Sequence, residues 1–328
     1  MSNLTYPAVL NDLGNAGDTG LPVSAVSHLQ DALDQCRRWG FKIALSGDRV
    51  RLEFDNEQLV PQWLEAETPA AAWDRLRAIG FLRLESTNTE AHSQAEKGAP
   101  AGTLVFAEEQ TGGRGRQDRM WHSPAGAGLY CTLIVRPKQP HALWPLLTHV
   151  ASVALAETLR ELAEKKIIPL PLNAEIKWPN DVLLSGKKCA GILLEAFWDD
   201  AKNPAALVGF GINVHRGSVP EALSGEAACL DDMAHACVPR RQLLVLYLKH
   251  FQICYLMFEQ GRHRELLDRW KSTSSMWTGA PVYNGKSGAR RQAVTCGLND
   301  LGALIIRNPD GSLETLFAED VSVSRQRF

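Results

Sequence analysis

Gln110-Thr111-Gly112-Gly113-Arg114-Gly115-Arg116-Gln117-Asp118-Arg119-Met120-Trp121 places three glycines within four residues and three arginines within six. Glycine admits φ > 0 and lets backbone N–H groups come close to a bound group. Successive N–H groups in such a loop form a concave anion site. Arginine adds a permanent charge and a planar fork of donors that fits phosphate or carboxylate. Trp121 offers a flat apolar face. These residue types suit a ligand with a phosphate, a carboxylate and a ring. The plainer alternative is a solvated Arg-Gly loop that binds RNA loosely, and a short glycine-rich pattern does not by itself decide between them.

The flanks favour a ligand loop. Thr103–Ala107 on one side and Leu129–Val135 on the other are short apolar runs that read as buried strands. An RNA-binding tail would instead lie in low-complexity sequence. Further upstream, Phe81–Glu85 reads as a strand, followed by Ser86-Thr87-Asn88 and a helix from Thr89 to Lys97. The hydroxyls there have an ordinary reading as helix caps. A strand-to-helix junction also leaves free N–H donors for a ligand. Downstream, Leu143–Lys165 is a long helix, and Leu170–Trp178 leads into Lys177-Trp178-Pro179-Asn180-Asp181. Val182–Leu184 and Cys189–Phe197 form a hairpin around Ser185-Gly186-Lys187-Lys188. Ala205–Val214 is a strand carrying Gly209, Gly211 and Asn213, and helices cover Arg240–Glu259 and Arg262–Lys271. From Gly279 the pattern changes to short runs with turn residues: Pro281–Tyr283, Gln292–Thr295, Ala303–Ile306, Leu313–Phe317 and Val321–Val323. These predict a small, separate β-barrel.

At the other end, residues 1–20 are rich in Gly, Asn and Asp and are expected to lack regular structure. Ser24 caps a predicted helix to Trp39, with Val26, Leu29, Leu33 and Cys36 at helical spacing. Phe41–Leu45 and Arg49–Phe54 form a hairpin, and residues 57–80 read as helical and connecting. Helix plus hairpin resembles the last part of a winged helix-turn-helix, whose helix reads bases in DNA-binding versions. Residues 1–60 carry five Lys/Arg against eight Asp/Glu, a net −3, whereas phosphate neutralisation supplies most DNA affinity. A structural remnant and a working DNA reader both stay open.

The 328-residue chain is long enough for two or three domains. Its net charge of −2 implies no general attraction to nucleic acid or anionic membrane. No basic-then-apolar leader and no apolar run near ~18 residues is present, so a cytoplasmic protein that does not span a membrane is expected. Seven scattered cysteines without a C-x-x-C pair read as reduced thiols, neither a disulfide framework nor a metal site.

Five signals stand in order: Glu85-Ser86-Thr87-Asn88, Gln110-x-x-Gly113-Arg114-Gly115-Arg116, Lys177-Trp178-Pro179-Asn180-Asp181, Lys188-Cys189-Ala190-Gly191-Ile192-Leu193, and Gly209-Phe210-Gly211-Ile212-Asn213. This set resembles the biotin–protein ligases, specifically the bacterial three-domain form that doubles as the biotin operon repressor. The resemblance runs from about Val23 to the C-terminus. It implies an α/β (α+β) chain in three parts. These are a winged-helix-like region (1–65), a mixed-sheet, class II synthetase-like catalytic domain (66–275) and a small SH3-like β-barrel (276–328). It also implies the chemistry. Biotin and Mg-ATP give biotinyl-5′-adenylate and pyrophosphate, and biotin then passes to a lysine of the biotin carboxyl carrier protein of acetyl-CoA carboxylase. A homodimer and an operator-DNA partner are further implications left open. A lipoate ligase of the same fold, and a transcription factor with a vestigial ligase domain, are the rival readings.

Roles follow from the same resemblance. Ser86, Thr87, Asn88, Gln110 and Gly113 match biotin-binding positions, with Arg114, Lys188, Gly191 and Gly209 on the same ligand. Arg116, Arg119, Trp121, Asn180, Gly211 and Asn213 match the ATP and adenylate side. Lys188, Arg116, Arg119, Lys177 and Asp181 are the expected catalytic set, stabilising charge and, at Asp181, orienting either the acceptor lysine or a metal. No nucleophilic side chain is needed, because the biotin carboxylate and then the acceptor lysine attack. Asp118 departs from the family loop, which usually has glycine there. It is expected to repel phosphate and weaken retention of the adenylate.

Overall fold

The computed structural model describes residues 3–317, apart from 7, 27, 118, 170, 199–202 and 285–290, together with residues 324–325. Asp118 and the expected strand Val321–Val323 lie outside the described residues.

The chain begins with β1 (Leu4–Thr5), α1 (Ala8–Ala16), β2 (Leu21–Pro22), a 3₁₀ turn at Val23–Ala25, α2 (Leu29–Arg38), β3 (Ile43–Ser46), β4 (Arg49–Leu52) and α3 (Pro61–Glu67). Next come β5 (Arg77–Leu84), α4 (Thr87–Glu96), β6 (Thr103–Gln110), β7 (Gly128–Val135) and α5 (Leu146–Glu164). Four strands follow: β8 (Ala174–Lys177), β9 (Asp181–Leu184), β10 (Lys187–Trp198) and β11 (Pro204–Asn213). Then come α6 (Leu230–Ala234), α7 (Arg240–Glu259) and α8 (His263–Thr273). The chain closes with β12 (Thr278–Asn284), β13 (Arg291–Leu298), β14 (Leu304–Arg307), β15 (Leu313–Leu316) and β16 (Ser324–Arg325).

Eight strands form a central mixed sheet in the order β1-β5-β6-β7-β11-β10-β9-β8. β5 and β6 are parallel, joined through α4, and the other pairs are antiparallel. Every residue of β7 is buried, as expected of a central strand covered on both faces. Alternation along β6 sends Leu104 and Phe106 into the core shared with α5 and α7, and Val105 and Ala107 into a second core with Ala91 and Ala95 of α4. The long helices α5 and α7 thus cover one face and the short α4 the other. The C-terminal residues form a five-stranded antiparallel sheet in the order β15-β14-β13-β12-β16.

The N-terminal residues depart from expectation. Residues 1–20 contain a strand and a nine-residue helix, with Val9, Leu10, Leu13 and Gly14 buried. Gly14, Asn11 and Asp12 are poor helix formers, and tertiary burial of one apolar face overrides them. Ser24 does not cap α2, whose N-cap is His28 at φ 49 with no side-chain hydrogen bond. The expected hairpin is β3–β4, and β2 adds to it in the order β2-β4-β3. Residues 57–80 are helical only over α3. It opens on Pro61 and stops before Pro69, which disfavours α geometry at Thr68. β5 starts four residues before Phe81. Gly80 there leaves room for Tyr6, since a Cβ would lie 2.4 Å from its ring.

Candidate functional site

The loop between β6 and β7 is a pinched hairpin. Trp121 N–H donates to Gly113 O (2.8 Å), Gly115 N–H donates to Arg119 O (2.7 Å), and Arg114 bridges to Met120. Its glycines do not serve positive φ; Gln117 is the loop's non-glycine residue at φ 55. They serve close approach. A Cβ on Gly113 would lie 2.5 Å from Trp121 O and 2.8 Å from Ser123 Oγ.

Beneath the loop, three glycines of β10 and β11 make room for side chains. Gly191 and Gly211 are register partners, and Trp121 lies across them. A Cβ on Gly211 would be 2.5 Å from the indole, and one on Gly191 would be 3.1 Å away. Lys188 Nζ stands 5.1 Å above the centre of the Trp121 ring and 2.6 Å from Asp181 Oδ1. Trp121 Nε1 is buried without a hydrogen-bond partner among the described residues. Gly209 makes room for Asn88, whose Oδ1 would be 2.1 Å from a Cβ there.

The floor is a chain of buried polar groups. Ser86, Thr87, Asn88, Thr132 and Ser123 are all nearly inaccessible. The Ser86 side chain makes no capping bond to α4. Burying uncharged polar groups is costly unless each is paired, and here the pairs run in sequence. Glu195 Oε2 accepts from Asn88 Nδ2 (3.0 Å) and from Arg114 (3.3 Å). Asn88 Oδ1 accepts from Thr132 Oγ1 (2.5 Å), which stands 2.9 Å from Thr87 Oγ1. Gln110 Oε1 accepts the Thr87 N–H (2.8 Å) and stands 3.1 Å from the Thr87 hydroxyl, whose one proton is then free to meet Thr132 Oγ1. Gln110 Nε2 donates to Ser123 Oγ (3.0 Å), and that hydroxyl donates to Trp121 O (3.1 Å). The carboxylate at one end is acceptor-only. It fixes the Asn88 amide, which directs the Thr132 hydroxyl. The chain joins Arg114 to Trp121, the two ends of the loop.

The third segment is the turn between β8 and β9. The Trp178–Pro179 peptide is cis. Trp178 is buried, its Nε1 donating to Gly302 O (3.1 Å) in the C-terminal sheet's β13–β14 connection. That turn presents Asn180 and Asp181. Asn180 Oδ1 accepts from Arg116 (3.2 Å), and its Nδ2 donates to Ile192 O (2.8 Å).

Together these segments enclose a cavity of about 770 Å³. It brings together Ser86, Thr87, Asn88, Gln110, Arg114, Arg116, Arg119, Trp121, Lys177, Asn180, Asp181, Lys188, Gly191, Gly209, Gly211 and Asn213. Gly113 lies instead on a second cavity of about 780 Å³ on the loop's other side. Arg114, Arg116, Arg119, Lys177 and Lys188 line the first cavity, and the carboxylates among its described lining residues are Asp181 and Glu226. Sequence reasoning missed Thr132, Ser123 and Glu195, single polar residues in apolar or loop segments, and Tyr283, which reaches the cavity from the C-terminal sheet.

The chain is similar to known proteins over the region that holds this cavity. Residues 80–213 match the Biotin/lipoate A/B protein ligase family. The biotin–acetyl-CoA-carboxylase ligase of Paracoccus denitrificans is 34% identical over 237 residues, covering 70% of this chain and 94% of that protein. The bifunctional ligase/repressor BirA of Bacillus subtilis (strain 168) is 30% identical over 249 residues, covering 73% and 72%. Among solved structures, the biotin protein ligase from Aquifex aeolicus in complex with biotin and ATP aligns with a TM-score of 0.63 at 26% identity, over 76% of this chain and 99% of that one. Since the matched region holds the Gly-Arg loop and the strands beneath it, and the likeness runs over most of each relative, the chain belongs to the biotin–protein ligase family.

Proposed function

We propose that this protein activates biotin with ATP, forming biotinyl-5′-adenylate and releasing pyrophosphate. It then transfers the biotinyl group to a lysine of a biotin carboxyl carrier protein in the cytoplasm. The observation that carries the reading is the single cavity in which a cluster of cations adjoins a buried chain of hydroxyls and amides. The relatives' names favour biotin over lipoate as the acid.

The ureido ring has donors and an acceptor that suit Ser86, Thr87, Asn88 and Gln110. Its carboxylate and the α-phosphate of ATP repel each other, and Arg114, Arg116, Arg119, Lys177 and Lys188 offset that repulsion. Fixed cations also stabilise the charge that builds on the α-phosphate as the carboxylate oxygen attacks and pyrophosphate leaves. Holding both reactants in line lowers the barrier further. Trp121, Asn180, Gly211 and Asn213 take the adenylate side. In the second step the acceptor amine attacks the acyl carbon and AMP leaves. Asp181 takes the role of orienting that amine, a reading supported by its position 2.6 Å from Lys188 Nζ. A Mg²⁺ ion carried on the phosphates fits a cavity with few carboxylates and would neutralise part of their charge. At the N-terminus we read α1, α2 and the β2-β4-β3 sheet as a winged-helix-type region without strong DNA affinity, and the C-terminal sheet as an SH3-like barrel.

Purified protein incubated with biotin, ATP and a carrier domain should raise the carrier's mass by one biotinyl group. Lipoate in place of biotin should not be transferred. Transfer of lipoate alone, or pyrophosphate release without transfer, would overturn the reading.

A further inference from the structure

Away from this cavity, three chemically suited side chains converge where β11 ends. The ligand atoms of His215, Asp231 and Cys237 all lie within 4.8 Å of one another. His215 follows Asn213 by two residues, Asp231 sits in the first turn of α6, and Cys237 lies in the connection to α7. We propose that these three hold a zinc-class divalent cation, a site distinct from the one that binds biotin and ATP.

The local backbone builds the site. His215 N–H donates to Ala127 O (2.8 Å), fixing the residue at the strand end. Asp231 Oδ1 is occupied by the Val238 N–H (2.8 Å), and Asp231 O accepts from Ala236 N–H (3.3 Å). Those two bonds flank Cys237 and fold its segment around Asp231. Asp231 Oδ2 remains for His215 Nδ1, 2.9 Å away. The other ring nitrogen, Nε2, faces Glu57 Oε1 at 3.0 Å. Glu57 is anchored in turn by the Arg240 N–H (3.1 Å) and guanidinium. A carboxylate behind the imidazole, fixing its tautomer and orientation, is the usual outer partner of a metal-bound histidine.

The ligand types select the ion. One imidazole, one thiolate and one carboxylate suit zinc, with bonds of about 2.0–2.3 Å, and leave the fourth position to water. Cys237 is the exposed thiol of the seven and so is open to an ion from solvent. Cys229 is not part of it, because its Sγ donates to Asp232 (3.3 Å), which pairs with Arg216. The bound ion would cross-link the end of β11, the start of α6 and the turn before α7. Through Glu57 it would also tie in the N-terminal region. The competing arrangement is a metal-free imidazolium held between Glu57 and Asp231.

Cobalt(II) titration of the chelator-treated, phosphine-reduced full-length protein separates the two. Binding at His215, Asp231 and Cys237 gives a thiolate-to-cobalt charge-transfer band that saturates at one equivalent, disappears on adding zinc, and is absent in Cys237→Ser. Zinc affinity, read by competition with a chelating dye, should fall at least ~100-fold in Cys237→Ser, and about 10- to 100-fold in Glu57→Gln, as for other second-layer partners. Cys237→Ser alters an exposed side chain and should keep full adenylation activity, so it decides the matter even if Glu57→Gln folds poorly. No band at one equivalent, a band that survives in Cys237→Ser, or equal zinc affinity in the two proteins would overturn the site and leave the imidazolium pair.

Discussion

Thr132 is a residue whose hydroxyl does more than its neighbours in β7 suggest. It is wholly buried and donates to Asn88 Oδ1, whose amide faces Glu195. Thr132→Val keeps the volume and removes that donor, leaving a buried amide oxygen unpaired at a cost on the order of 1–3 kcal/mol. The expected outcome is a rise in KM for biotin of about tenfold or more, with KM for ATP unchanged. Equal changes in both constants would assign Thr132 to the fold in general. The residues with distinctive chemistry, such as Arg114, Arg116, Lys188 and Asn180, were legible because charges and amides clustered at turns have few structural uses. Thr132 and Glu195 were not, since a lone polar residue in a strand reads as an ordinary sheet position until its partners are known. The glycines were legible as sites of close approach, but what approaches is Trp121 and Asn88, which sequence spacing does not reveal.

Among elements, the hairpin loop and the paired strands β10 and β11 form one working unit. Trp121 closes the loop and rests on Gly191 and Gly211. A methyl group on Gly211 would intrude to 2.5 Å from the indole, one on Gly191 only to 3.1 Å. Overpacking of this kind typically costs about 1–3 kcal/mol when neighbours must shift. Gly211→Ala should therefore release biotinyl-adenylate faster than Gly191→Ala, and both faster than the parent, as read from adenylate off-rates. The reverse order would mean that Trp121 moves freely and that the contacts seen here do not hold it. Most helix and strand positions were readable from apolar periodicity. α1 was not, because Asn11, Asp12 and Gly14 look like loop residues and only packing against α3 and β4 makes them helical.

At the level of the whole molecule, the C-terminal sheet is coupled to the turn between β8 and β9. The turn at Asn299–Gly302 inserts beside Trp178 and against His149 of α5; a Cβ on Gly302, at φ 74, would lie 2.6 Å from the His149 ring. Burial pushes the His149 pKa down from 6.5 to about 4. The folded protein thus keeps this ring neutral where an unfolded chain protonates it. That contribution is whole above pH 6.5 and is lost as pH falls toward about 4, by roughly 3 kcal/mol at most. His149→Gln should flatten the fall in urea-unfolding free energy between those values; a slope equal to the parent's would mean that the ring is solvated. DNA binding is also a property of the assembled surface. Of the side chains that could face a duplex, Gln30 and Arg37 are held by Asp34, and Arg49 by the carbonyls of Thr19 and Gly20. A mobility-shift experiment on the upstream region of the host's biotin genes, with biotin and ATP present, should show no sharp shift at nanomolar protein. Such a shift at moderate salt would establish a working repressor.

The first described strand has a practical consequence. β1 pairs with β5, and the Tyr6 hydroxyl just after it donates to Leu59 O (2.8 Å) and stands 3.3 Å from Glu108, which Arg240 also holds. A shortened protein begun near residue 66 would not simply lose an appendage. It would strip the outermost strand from the central sheet and bare the β5 backbone, the kind of open edge that recruits other chains into aggregates. A minimal ligase for tagging or crystallisation is better made by keeping residues 3–6 and trimming elsewhere.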